Sequence, residues 1–192
     1  MFQVKDGSTK GVVNDWDMAS ILNDEGEVPT STAKHRTGTI PFMARDLLES
    51  DPPPHLYRHD LESFFYLLVW STIHYDLKNK VRLPVCQDLA RWDSNDPLAA
   101  SAQKWTFIIN PLTAKKVFTN IRDEFKSLLS EWVFPLHQLF QTATFSLPNF
   151  LDVHRATHYD YDTYDGRLTF HTFMEALSVT PRSHSNTRVE NR

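Results

Sequence analysis

Residues 64–70 form an unbroken apolar run that follows three consecutive prolines at positions 52–54, and this arrangement most constrains the fold. Proline removes a backbone donor and disfavours helix at the residue before it, so the prolines separate the run from the preceding chain. With Asp60 as a candidate N-cap, the sequence predicts a helix over residues 61–75. Its apolar side chains cover every face, whereas a surface helix shows one stripe. We therefore expect a central helix that other elements enclose, in a mainly α-helical domain.

An acidic or amide residue followed by proline marks the start of two further helices. Asp96-Pro97 predicts a helix over residues 97–109. Asn110-Pro111 predicts a helix whose apolar residues recur at three- and four-residue steps through Val133. Pro135 should end or kink this helix.

Shorter segments are predicted toward both ends of the chain. They are the second strand of a β-hairpin over 11–18, a loop over 19–41, a helical turn over 88–92, a helix over 170–177 capped by Thr169, and a disordered tail over 180–192. A loop of this length without secondary structure usually either serves a function or is disordered.

Composition excludes several classes of function. The net charge is −4, so no overall basic field attracts nucleic acid or an anionic membrane. The apolar run at 64–70 is far shorter than the roughly 18 residues of a membrane span. Cys86 is the only cysteine, and residues 1–11 contain no apolar signal-peptide core. We expect an intracellular protein, cytoplasmic or nuclear, with neither nucleic acid nor membrane as a partner.

The sequence Asn14-Asp15-Trp16-Asp17 is the first candidate for chemistry. In an extended segment, Asp15 and Asp17 face one way and Trp16 faces the other. Mg²⁺ takes one or two carboxylate oxygens and completes its shell with water and phosphate oxygens, so such a pair suits it. The tetrapeptide alone leaves open a second interpretation, a polar turn in which Trp16 anchors the core.

Two other patterns resemble metal sites less well. The acidic run from Asp160 to Gly166 fails the register of a calcium loop, because Thr172 falls where the bidentate Glu is needed. The pairs His55/His59 and His154/His158 each offer two ligands, whereas zinc requires three or four. We expect an acidic surface turn and ordinary histidines there.

Three segments in order, residues 13–19, 37–48 and 57–66, resemble the C-terminal lobe of a protein kinase, and more narrowly the fungal-type protein kinase family. The resemblance extends over nearly all of residues 4–178. It implies a mainly α, protein kinase-like C-terminal lobe with a small β-hairpin at its N-terminus and without the N-lobe. A partial kinase domain would then occupy 1–179, with an activation segment over about 15–48.

The resemblance also implies roles for individual residues. Asp15 matches the aspartate that holds Mg²⁺ against the phosphates of ATP, with Asp17 beside it as a second candidate ligand. Thr37, Gly38 and Thr39 match the end of the activation segment, which Asp46 would anchor through an ion pair. Asp60 matches the central-helix aspartate that braces the catalytic loop. Four hydroxyls could carry a regulatory phosphate, although ordinary loop composition is the favoured explanation for them: Thr30, Ser31, Thr32 and Thr37.

Important parts of the kinase pattern do not occur in the 192 residues. There is no H-R-D-x-x-x-x-N and no Gly-rich phosphate loop, and the nucleotide-clamping lysine is expected, with them, before Met1. Loss of a positioned general base alone costs about 100- to 10,000-fold in rate. The complete family domain would use ATP and Mg²⁺ on a protein substrate, and we expect this chain alone to be inactive. The alternative is a non-catalytic, pseudokinase-like scaffold that binds a partner protein.

Overall fold

The computed structural model describes residues 2–5, 8–11, 38–149 and 151–180. The chain forms two compact units, Met1–Arg36 and Thr37–Arg192.

The described part of the first unit is an antiparallel hairpin of β1 (Phe2–Lys5) and β2 (Ser8–Gly11). Phe2 pairs with Gly11 and Lys5 pairs with Ser8, so the register leaves Asp6-Gly7 between the strands. Asp-Gly is a favoured pair in two-residue hairpin turns. The predicted hairpin is confirmed. The second strand begins at Ser8, three residues before its predicted start at Gly11, and residues 12–18 of that prediction lie outside the described residues.

The second unit is mainly helical, as predicted. Its regular elements, in chain order, are a 3-10 turn (Asp46–Leu48), α1 (Tyr57–His74), β3 (Tyr75–Asp76), β4 (Val81–Arg82), a 3-10 helix (Gln87–Asp93), α2 (Pro97–Ile109), α3 (Pro111–Thr119), a 3-10 turn (Asp123–Phe125), α4 (Lys126–Leu128), a π-helix (Leu129–Val133), α5 (Phe134–Phe145), α6 (Val153–His158) and α7 (Phe170–Ala176).

Helix α1 lies at the centre of the hydrophobic core of the second unit. Phe65 is fully buried, and its ring lies 5.9 Å from that of Phe107 on α2 and 5.0 Å from that of Phe140 on α5. Phe140 in turn contacts Phe173 on α7, with 6.5 Å between ring centroids. Aromatic pairs at these distances add to the gain from burial itself. The predicted role of this helix as the centre of the core is confirmed for its inner face.

Two details of α1 differ from the prediction. The helix begins at Tyr57, four residues before Leu61, and Leu56 occupies the N-cap position that was assigned to Asp60. The apolar side chains are also not all enclosed, since Phe64 is 62% exposed and Leu67 is 43% exposed. Among the described residues, none covers the stripe of α1 that contains Phe64 and Leu67, which an apolar count along the sequence does not indicate.

The helix predicted from Asn110-Pro111 through Val133 is not continuous. It ends at Thr119, and the chain turns near Arg122, whose backbone N–H donates to the Thr72 carbonyl of α1 at 3.2 Å. The effect of Pro135 is a widened turn: a π-helix precedes it, and the Phe134 N–H donates to the carbonyl of Leu129. A wider turn accommodates the hydrogen bond that proline cannot make.

The proline-marked starts are confirmed. Helix α2 spans the predicted residues, and Asp96 Oδ1 accepts from the Ala99 N–H at 3.1 Å. Asn110 Oδ1 accepts from the N–H groups of the first turn of α3. Thr169 caps α7, and the turn over 88–92 lies in the 3-10 helix. The short β3–β4 hairpin and α6 were not predicted. The tail over 181–192 and nearly all of the 19–41 loop lie outside the described residues.

Candidate functional site

Residues 38–48, here called segment 38–48, form a tight, partly buried stretch before α1. The Thr39 carbonyl accepts from the N–H groups of Phe42 at 2.8 Å and Met43 at 3.2 Å. Gly38 has φ of +138°, and a Cβ there would lie 3.1 Å from Met43 Cγ. A residue with a side chain is strained at such a φ, so this corner requires glycine. The segment ends in the 3-10 turn that contains Asp46.

Asp46 contacts two side chains from the first turn of α1, those of Arg58 and His59. Its Oδ2 lies 2.6 Å from Arg58 Nη2, and its Oδ1 lies 3.0 Å from His59 Nε2. The side chains of Asp46, Arg58 and His59 are 15%, 4% and 0% exposed. Burial alone would raise the pKa of Asp46, but the adjacent His59 and the charge of Arg58 outweigh it and hold the pKa well below its usual range. The aspartate is therefore ionised at neutral pH.

His59 also fixes the start of α1. Its Nδ1 accepts from the backbone N–H of Leu56 at 2.9 Å. A ring nitrogen that accepts carries no proton, so a neutral ring carries its proton on Nε2, the nitrogen that lies 3.0 Å from Asp46 Oδ1. Pro54 keeps the preceding chain extended, and His59 then supplies the cap that Asp60 was expected to provide.

Glu62, one turn further along α1, binds the backbone of the same segment. Its Oε1 accepts from the Arg45 N–H at 3.0 Å and from the Tyr66 hydroxyl at 2.6 Å. Burial, reinforced by the negative charge of Glu62, raises the pKa of Tyr66 well above its usual value. Tyr66 therefore stays protonated and donates to Glu62.

Lys104 of α2 holds segment 38–48 from the other side. Its Nζ donates to the Ile40 carbonyl at 2.8 Å and to the Met43 carbonyl at 2.6 Å. The side chain is fully buried, with Nζ 4.5 Å from the centre of the Tyr66 ring. Burial lowers the pKa of Lys104 to about 7, although the negative charge of Glu62 acts in the opposite direction.

The loop before α7 contacts Arg58 and Arg45 of this site. Arg58 Nε donates to the Tyr161 carbonyl at 3.0 Å, and its guanidinium lies 4.5 Å above the Tyr164 ring. Tyr164 and Asp165 have φ of +50° and +58°, which non-glycine residues rarely adopt. The strained turn places Tyr164 where its hydroxyl lies 3.4 Å from both Arg45 Nη2 and Arg58 Nη1.

The comparisons with known proteins bear on the amino-terminal part of the chain. A family model described as fungal protein kinase matches residues 1–72. Residues 1–72 are thus similar to the fungal protein kinase family. The resemblance seen in the sequence is thereby confirmed, and the match includes segment 38–48 and most of α1. No curated protein and no solved structure matches the chain.

The predicted site residues of the kinase-family region are only partly described. Gly38, Thr39 and Asp46 lie together in segment 38–48, whereas Asp15, Asp17 and Thr37 lie outside the described residues. Asp60 is half exposed and pairs with His55, whose Nε2 lies 3.3 Å from Asp60 Oδ1. Its role as a structural anchor stays a prediction.

Across residues 38–149 and 151–180, no cluster of three or more His, Cys, Asp or Glu side chains could hold a metal ion. In the part of the chain that the structure describes, no helix has both the length and the apolarity needed to cross a bilayer.

Sequence reasoning missed Lys104, Glu62 and Tyr164. Lys104 shares one face of α2 with Ala100, Phe107 and Ile108, which are buried, so the helical period could have identified it as a buried cation. Nothing in the sequence indicates that Tyr164 reaches Arg58, because that contact spans 106 positions of the chain. The polar groups of this site bind one another and the backbone, so the arrangement fixes the conformation of segment 38–48.

Proposed function

We propose that this chain takes part in the ATP- and Mg²⁺-dependent phosphorylation of serine or threonine side chains of proteins. The observation that carries the proposal is the buried contact of Asp46 with Arg58 and His59, within the residues that match the fungal protein kinase family. In this proposal, segment 38–48 is the end of the activation segment.

The physical argument rests on a fixed backbone. A kinase aligns its substrate hydroxyl with the phosphate by positioning, and rigid placement lowers the entropic cost of that alignment. Arg58, Glu62 and Lys104 hold segment 38–48 at three separate points, Arg58 through its contact with Asp46. Such a segment could present a constant surface to a protein substrate.

Asp15 is the proposed ligand of Mg²⁺, with Asp17 beside it. Carboxylate oxygens are the ligands this cation prefers, and Mg²⁺ when bound would neutralise charge on the phosphates of ATP. Asp60 is proposed to brace the catalytic loop, and its partly exposed carboxylate is free to meet other groups besides His55.

In this proposal, the 192 residues supply only some of the groups that phosphate transfer requires. The 192 residues contain neither H-R-D-x-x-x-x-N nor a Gly-rich loop, so phosphate transfer needs groups that these residues do not supply. We therefore propose that the isolated chain does not transfer phosphate. A non-catalytic scaffold is the alternative that the same absence allows.

The experiment has two arms. In the first, the transcript is sequenced upstream of the Met1 codon, and the product of the longest reading frame is assayed with Mg-ATP and a Ser/Thr peptide. We expect an upstream segment with G-x-G, a strand lysine and H-R-D, and an activity that Asp15→Ala lowers at least about 100-fold. In the second arm, the 192-residue chain should show no phosphate transfer and no Mg²⁺-dependent thermal shift with ATP.

The outcomes separate the hypotheses. A transcript without such a segment, together with an inactive chain, would favour the scaffold. If the purified 192 residues transferred phosphate, and Asp15→Ala abolished that activity, the proposal that the isolated chain is inactive would be overturned.

A further inference from the structure

A groove in the second unit lies between α3 and the start of α5. Its volume is about 410 Å³, within the range of binding pockets. Phe118 forms its floor, and the ring centroids of Phe134 and His137 lie 6.3 Å and 5.2 Å from that of Phe118. Pro111, Ala114 and Leu129 complete the apolar lining. The groove can therefore receive an apolar side chain.

The rim of the groove is positively charged. Lys115 of α3 and Lys126 of α4 line it, and its lining contains no carboxylate. Both lysines are exposed, and no described carboxylate forms an ion pair with either. This local charge contrasts with the net charge of −4 of the chain.

The remaining polar groups of the lining are largely occupied. His137 Nε2 binds the Phe107 carbonyl at 2.9 Å, and burial lowers the pKa of His137, so its ring adds no positive charge at neutral pH. Gln141 donates to the Ile108 carbonyl at 2.9 Å. Recognition of a charged ligand thus falls to Lys115 and Lys126.

We propose that this groove binds an acidic segment of a partner protein. An apolar side chain of that segment packs on Phe118 and Phe134, and flanking carboxylates face Lys115 and Lys126. Complementary charge on a rim around an apolar floor gives such a site specificity and faster association. The tail of this chain has the wrong charge for the groove, because it contains Arg182, Arg188 and Arg192 against Glu190 alone. The proposal does not depend on the kinase function.

The test uses the full chain and a fluorescein-labelled synthetic peptide with a central Leu-Phe pair and aspartates on both sides. Fluorescence anisotropy should show saturable binding that weakens as salt is raised, because salt screens exposed charges. Each of Lys115→Glu and Lys126→Glu should weaken binding about fivefold. Gln138→Glu, which adds a negative charge to the lining, should also weaken it.

Lys116→Glu is the matched control, since Lys116 is exposed on α3 and does not line the groove. All four substitutions are at exposed helical positions, so the fold should survive them. Two further peptides complete the design, one with asparagine for aspartate and one with Ala-Ala for Leu-Phe. Both should bind at least about fivefold more weakly. Absence of saturable binding, equal binding of either control peptide, or an equal effect of Lys116→Glu would overturn the proposal.

Discussion

Replacing Asp46 by asparagine tests whether the buried ion pair anchors segment 38–48. The substitution preserves the shape of the side chain and removes its charge. Arg58, only 4% exposed, would then lack a carboxylate at its Nη2. His59 would lose the ionised acceptor at its Nε2, 3.0 Å away. The side chains would keep their packing, but the positive charge of Arg58 would no longer be paired with the negative charge of residue 46.

The expected cost follows from burial. Removing one partner of a buried ion pair typically destabilises a protein by about 3–5 kcal/mol. Arg58 keeps its hydrogen bond to the Tyr161 carbonyl and its contact with the Tyr164 ring, so we expect the lower end, about 3 kcal/mol. An exposed pair would contribute only about 0.2–1 kcal/mol.

The pH dependence has a definite sign. The folded-state pKa of Asp46 lies below its unfolded value, so the ionised form is favoured by folding. Its stabilisation is fully present above the unfolded pKa of about 3.9 and is lost as pH falls from there through the folded pKa. The difference in stability between the wild type and Asp46→Asn should therefore narrow below about pH 4.

Urea denaturation followed by circular dichroism measures these differences. Asp93→Asn is the matched control, because Asp93 pairs with Arg82 at 3.8 Å on the exposed surface. It should change stability by less than about 0.5 kcal/mol. Asp46→Glu keeps the charge and should lose less than Asp46→Asn, which preserves a readout if the latter fails to fold. A loss of under about 1 kcal/mol in Asp46→Asn would refute the argument from burial.

Three further predictions concern other contacts of the second unit. Between pH 7 and 9.5, wild-type stability should rise with pH, by at most about 1.4 kcal/mol per unit, because folding lowers the pKa of Lys104. The urea midpoint of Lys104→Met should not rise with pH in this way. A midpoint that rises with pH as steeply as that of the wild type would contradict this prediction. Gly38→Ala should cost at least about 1 kcal/mol and more than Gly166→Ala, since only at Gly38 does a Cβ meet another side chain. Equal losses in thermal denaturation would count against that contact. Asn110→Ala should cost about 1 kcal/mol through loss of the α3 cap, and a urea midpoint equal to that of the wild type would disprove the cap's contribution.

The helix starts could be predicted because their signals are local. Asp96 and Asn110 each accept from N–H groups two or three positions away, so neighbouring residues determine these caps. The start of α1 was misplaced because its cap is the histidine at position 59, a residue type not among the usual N-caps. The turn near Arg122 depends on the carbonyl of Thr72, fifty residues away, and no local pattern encodes it.

The candidate site likewise contains some features that the sequence predicts and others that only the tertiary structure determines. The sequence alone indicated the resemblance to the fungal protein kinase family and pointed to Asp46, because a motif is an order of residue types along the chain. The partners of Asp46, the backbone contacts of Lys104 and the position of Tyr164 were decided by tertiary structure. A buried charge is stable only where groups from distant segments meet it, and packing of the helices determines which groups those are.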